Sequence, residues 1–256
     1  MSVSRPGYGL LLLLLGWLHP VAATTLTVAA AISLREALEA VAGDYERLYP
    51  GEQVSLELAA TGTLLQQIRA GAPVDLFLSA DEASMDAAAA AQLIVRSTRE
   101  DFAGNTLALI VPAQAAPGEG SELLSQPGVR LAIGDEKSVP AGRYAQAFLR
   151  QKGLWPALQD RLIRGENVRQ VLDDVARAEV DAGLVYATDV RIAAGRVRLL
   201  RTYALQPPIR YPLAQIADSP HAAQAAAFVR LLRGSRGRAQ LRRLGFILPG
   251  DPAWSP

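Results

Sequence analysis

A chain of 256 residues with 26 Lys and Arg against 25 Asp and Glu is nearly neutral, so it sets up no field for gathering nucleic acid or an anionic membrane. It contains no cysteine, which excludes disulfides, thiolate metal sites and a lipid anchor on an N-terminal cysteine. Its two histidines leave little for imidazole metal ligation or for nucleophile–histidine–acid catalysis.

Residues 1–23 read as a secretion leader. Arg5 supplies a positive n-region, Leu10–Leu18 an apolar core, and Val21-Ala22-Ala23 a small-residue cleavage site. The apolar run is too short to span a bilayer. Cleavage after Ala23 and a soluble periplasmic product are expected. His19 departs with the leader, and so does Arg5, its one charge, which leaves the mature chain balanced.

From residue 24 onward, apolar strands alternate with helical patterns, which predicts an α/β fold with parallel sheets covered on both faces. Residues 26–31 read as a strand. Ser33 and Glu36 then spell S-x-x-E, a capping box for a helix whose apolar stripe is Leu34, Leu38, Val41, Tyr45 and Leu48. "YPG" at 49–51 stops that helix. Strands are expected over 54–60, 74–79, 106–112, 129–134 and 182–187. Helices are expected over 63–70, 81–91, 143–151 and 168–178, with Asp75 and Asp81 as turn and cap residues. The Gly, Pro and Ser-rich stretch 113–128 reads as a loop with one short helix. "LQPPIRYP" at 205–212 reads as a stiff crossover. The tail 221–244 is helical and rich in arginine with no interleaved aromatics, the pattern of a solvated face.

Catalytic arrangements are poorly supplied. His221 sits at a helix start, and Asp173 and Asp174 point in diverging directions on a helix. No Gly-rich phosphate loop occurs. What recurs is the small polar turn that opens a helix: at Ser33, at "ATGT" (60–63), at "SVPAG" (138–142) and at "ENVRQ" (166–170). Gly62 allows close backbone approach. Helix N-termini offer unpaired N–H donors, and several of them converging suit a bound anion.

The stretches "LTVAAAISLREAL" (26–38), "ATGTLLQQIRAGAPVDLFLSAD" (60–81), "SVPAGRYAQAFL" (138–149), "NVRQVLDDVARAEVDAGLVYATDV" (167–190) and "FVRLLRGSRGRAQLRRLGF" (228–246) closely resemble the periplasmic molybdate-binding proteins of ABC importers. They keep that family's order over essentially the whole mature chain. The resemblance implies a type II periplasmic-binding-protein fold: two α/β lobes joined by two crossover strands, with a ligand cleft between them. Lobe I would take 24–103 and 213–256, and lobe II 104–212. It implies a binding protein and not an enzyme, capture of molybdate or tungstate, and delivery to a membrane permease. No cofactor is implied, and no metal except molybdenum within the oxyanion. Carried over residue by residue, Ser33 would give its hydroxyl and N–H, Thr61 its hydroxyl, Ala141 and Val168 their N–H groups, and Tyr186 its phenol. Thr61 departs from the family's usual serine, and Ala60 stands where many members carry another. Sulfate or another tetrahedral oxyanion on the same fold is the nearest alternative. A secreted hydrolase using Ser33 is a remote one, because Ser33 lacks a histidine base. A monomer is expected, since no heptad or spare apolar stripe is present.

Overall fold

The computed structural model describes residues 24–116, 121–193 and 195–254; the leader and its cleavage site lie outside them. The chain builds one sheet, crosses to a second, and returns. The first passage runs β1 (Thr24–Ala31), α1 (Arg35–Leu48), β2 (Glu52–Ala59), α2 (Thr61–Arg69), β3 (Leu76–Leu78), α3 (Glu82–Ala90) and β4 (Glu100–Asn105). The second runs β5 (Leu107–Pro112), β6 (Leu131–Gly134), α4 (Pro140–Gln151), α5 (Trp155–Leu158), β7 (Leu162–Gly165), α6 (Val168–Ala176), β8 (Ala182–Tyr186), α7 (Ala187–Ile192) and β9 (Val197–Tyr203). The return is β10 (Ile209–Gln215), followed by α8 (Ala222–Arg233) and α9 (Ser235–Leu244).

The first sheet has the order β2-β1-β3-β10-β4 and the second β7-β6-β8-β5-β9. Alternation along β1 explains how helices cover both faces of the first sheet. Leu26, Val28 and Ala30 pack with Leu34, Leu38, Val41 and Tyr45 on the α1 side. Ala29 and Phe77 face Leu64, Leu65, Ile68 and Met85 on the other. Successive strand residues point to opposite faces, so one strand feeds both cores.

The sheets are mixed, not wholly parallel as expected. β1 pairs in parallel with β2 and β3, and β6 with β7 and β8. β10 runs antiparallel to β3 and β4, and β5 antiparallel to β8 and β9. The reversed strands are those joined to their predecessors without a crossover helix. β4 hands over to β5 across Thr106 alone, and β9 returns to β10 through residues 204–208. An alternation of strand and helix signals carries no information about such direct joins. The run expected as a crossover is therefore half strand: Ile209–Pro212 opens β10, with Pro212 at a register shift against β4, where a missing N–H is tolerated.

Two helices begin earlier than expected. α2 starts at Thr61; α4 starts at Pro140, because proline at the first helical position has a pre-set φ and no N–H to orphan. The arginine-rich tail is two helices broken at Gly234.

Candidate functional site

Ser33 does not cap a helix. It lies in a single 3-10 turn, Ile32–Leu34, and neither that turn nor α1 has a side-chain cap. The Ser33 Oγ sits 3.2 Å from the Tyr211 hydroxyl. Asn105 Nδ2 donates to that same hydroxyl at 3.3 Å and to Thr188 Oγ1 at 3.0 Å, while its Oδ1 accepts the Thr106 N–H at 2.9 Å. The Tyr211 oxygen accepts from Asn105 and keeps its own proton and a second lone pair, so either hydroxyl of the Ser33–Tyr211 pair can donate. With the Tyr211 proton given to Ser33, the Ser33 proton is free for the cleft. Burial pushes the Tyr211 phenol above its ordinary pKa, which keeps it a donor at neutral pH.

Tyr186 ends β8, and its ring packs 5.7 Å from that of Tyr211. Its hydroxyl is buried without a hydrogen bond. Tyr211 is close enough to influence its ionisation but is not in hydrogen-bond geometry. Burial raises the Tyr186 pKa well above the ordinary value, so this too is a neutral O–H. A buried hydroxyl left unsatisfied costs about 1–3 kcal/mol, and an oxyanion in the cleft would remove that cost.

The other expected donors sit at helix starts. Thr61 Oγ1 accepts the Ala80 N–H at 3.1 Å, which leaves its proton to donate. The N-cap residues of α2 and α4, Ala60 and Val139, give no side-chain cap. In α4, Pro140 has no N–H, while Gly142 and Arg143 both donate to Val139 O. Ala141 is thus the first-turn amide without a helical acceptor. At α6, the Asn167 side chain takes the N–H groups of Arg169 and Gln170, and Val168 is the first-turn amide that it passes over. All five expected residues are at most 3% exposed.

Contacts between the sheets bring these starts together. Gly62 N–H donates to Ser138 O at 2.9 Å, seating the α2 start against the lead-in to α4. Arg169 spans from α6 to Glu36 on α1 at 2.7 and 2.8 Å, and α6 packs on the Ser33 turn. Asp189, fully buried 2.9 Å from Arg169 Nε, steers that guanidinium and accepts the Tyr186 N–H at 3.0 Å. Burial raises the Asp189 pKa to about 6 against the opposing pull of Arg169. Burial also lifts Glu36, but Arg169, by hydrogen bond and charge, outweighs it and holds that carboxyl below its ordinary value.

The sequence pattern of bacterial extracellular solute-binding proteins matches residues 26–247. The chain belongs to that family. It is 34% identical to the molybdate-binding protein ModA of Haemophilus influenzae over 88% of this chain and 91% of the relative. The periplasmic molybdate-binding protein of Azotobacter vinelandii superposes with a TM-score of 0.77 at 24% identity, covering 88% of this chain and 99% of that one. The sulfate-binding protein SubI of Mycobacterium tuberculosis superposes at 0.76 with 18% identity, covering 90% and 88%. Both structures share the type II periplasmic binding architecture, and the resemblance to molybdate-binding proteins is borne out.

This solute-binding protein is not an enzyme, and the polar clusters at Asp75, at Asp173 and Asp174, and in the tail serve the fold. His221 Nδ1 lies 3.1 Å from Asp75 Oδ1, which also accepts from Ser219 Oγ at 2.6 Å. Asp75 Oδ2 accepts the Thr27 N–H at 2.7 Å. The cluster ties the α8 start to the first sheet, while Ser33 keeps other company. Asp174 is buried and accepts from Arg177 at 3.0 Å, while Asp173 pairs with Arg196 at 3.1 Å. In the tail, Arg233 pairs with Glu100 at 2.9 Å and Arg242 with Asp251 at 2.7 Å. Sequence reasoning missed Tyr211, Asn105 and Thr188. Tyr211 was hidden among prolines, Asn105 ends β4 away from any helix start, and Thr188 lies in the first turn of α7 without a cap-like sequence pattern.

Proposed function

We propose that the cleft captures molybdate or tungstate as a fully coordinated dianion, in the periplasm, for delivery to the permease of an ABC importer. The two sheets are the cores of the two lobes, and the mature protein, cut after Ala23, acts as a monomer with one anion per chain. The observation that carries this reading is the buried, unpartnered Tyr186 hydroxyl, together with a buried Ser33 hydroxyl joined to Tyr211. Thr61 Oγ1 and the first-turn amides of Ala141 and Val168 complete the donor set.

A tetrahedral dianion needs donors on all sides, and hydroxyls, amides and helix N-termini supply them without burying a cation. Phosphate fits less well. At neutral pH it keeps a proton, and the proposed donor set includes no carboxylate to accept it. The 34% identity to a molybdate-binding relative favours molybdate over sulfate, whereas the likeness to the sulfate-binding structure concerns the fold alone. Calorimetric titration with molybdate, tungstate, sulfate and phosphate tests this. One tight site for molybdate and tungstate is expected, with little heat from phosphate. Preferential binding of sulfate would assign the cleft to the other oxyanion.

A further inference from the structure

Two ion pairs join the lobes, and each adjoins the proposed donors. Arg169, the residue after Val168, grips both oxygens of Glu36, three residues after Ser33, at 2.7 and 2.8 Å. Arg143, two residues after Ala141, places Nε 2.8 Å from Asp81 Oδ2 and brings Nη2 onto the same oxygen. Asp81 caps α3 through the Ser84 N–H and follows Ala80, whose amide holds Thr61 Oγ1. Each pair therefore ties a donor-bearing segment of one lobe to a donor-bearing segment of the other. An open groove lies outside each pair. One is lined by Ile32, Arg35, Asn167 and Arg169, and the other by Gly62, Lys137, Ser138 and Arg143.

We propose that Glu36–Arg169 and Asp81–Arg143 are latches across the two mouths of the cleft, which set how fast the oxyanion leaves. The proposal rests on the oxyanion reading of the cleft. An anion enters while the lobes stand apart and the pairs are unmade, so their loss has little effect on association. Release requires the lobes to part, which breaks both pairs, so their contribution falls on the dissociation rate. Arg169 has a second effect: it neutralises a carboxylate that would otherwise face a bound dianion from one turn away. Asp189 holds the guanidinium in place from behind.

The test is the double variant Glu36→Gln/Arg143→Met, which removes one charge of each sign and leaves the long-range field unchanged. Glu36→Gln alone serves as a milder second variant, since that side chain is part exposed and its loss leaves Arg169 paired with Asp189. Association is followed by stopped-flow tyrosine fluorescence with sodium molybdate. Release is followed by dilution, rapid gel filtration and elemental molybdenum. Release from the double variant should be about 10-fold faster or more, with association within about twofold of wild type. Added salt should speed release from wild type and leave the double variant nearly unaffected. Unchanged release from variants that bind molybdate would overturn the latches alone. Wild-type protein that takes up no molybdate would overturn the oxyanion reading, and the latches with it.

Discussion

Ser33→Ala should raise the Kd for molybdate about 10- to 100-fold, because a hydrogen bond to a charged group contributes about 1.5–3 kcal/mol. The melting temperature of the ligand-free protein should fall only slightly. Ser33 caps no helix, so the usual capping loss does not arise, and only its bond to Tyr211 is removed. Ser33→Asp should behave differently from both. At a helix cap, aspartate is well tolerated. At 2% exposure beside the Tyr211 phenol, it is a buried carboxylate that occupies the site's donors and repels a dianion. Binding should vanish, and thermal melts with and without millimolar molybdate should superimpose. A ligand-induced rise equal to that of wild type would remove Ser33 from the site.

Gly62→Val should cost comparable affinity by preventing the lobes from closing. A Cβ at this position meets Ser138 O at 2.6 Å and Ser138 Cα at 2.8 Å, both backbone atoms of the opposite lobe. Neither can swing aside as a side-chain tip does, so the lobes must separate and the Gly62–Ser138 hydrogen bond is lost. Overpacking of this kind costs about 1–3 kcal/mol, or about 5- to 150-fold in Kd. The ligand-free, open protein carries no such clash and should melt close to wild type. Small-angle scattering should show the wild-type radius of gyration shrinking on molybdate addition and the variant's remaining at its open value. A variant that contracts and binds like wild type would show that this contact is not needed for closure.

How much of this was legible in the sequence depended on whether a residue's signal was local. Leu34, Leu38, Val41 and Tyr45 announced α1 through their spacing, and Asp81 announced the α3 cap, because both depend on neighbours a few residues away. The direction of strands was not legible. β5 and β10 are set by direct joins from one sheet to the other, which leave no periodic trace. Ser33 shows the limit most clearly: its S-x-x-E spacing fits a capping box, yet Tyr211, 178 residues away, takes the hydroxyl and Arg169, 133 residues away, takes the glutamate. Ala141 and Val168 had no side-chain signal and were reached through family resemblance. The structure adds a physical reason for each, since Pro140 has no N–H and the Asn167 side chain takes the two amides after Val168. Gly62 was read as a point of close approach, and Ser138 is what approaches it.

One oxyanion is expected between the two sheets, held by Ser33, Thr61, Ala141, Val168 and Tyr186. Anomalous diffraction at the molybdenum edge, from crystals of the mature protein grown with molybdate, measures this directly. One strong peak per chain is expected in the cleft, with oxygens within about 2.5–3.2 Å of the Ser33, Thr61 and Tyr186 hydroxyls and the Ala141 and Val168 amides. A peak elsewhere, or a molybdate whose oxygens leave the Tyr186 hydroxyl unpaired, would contradict it.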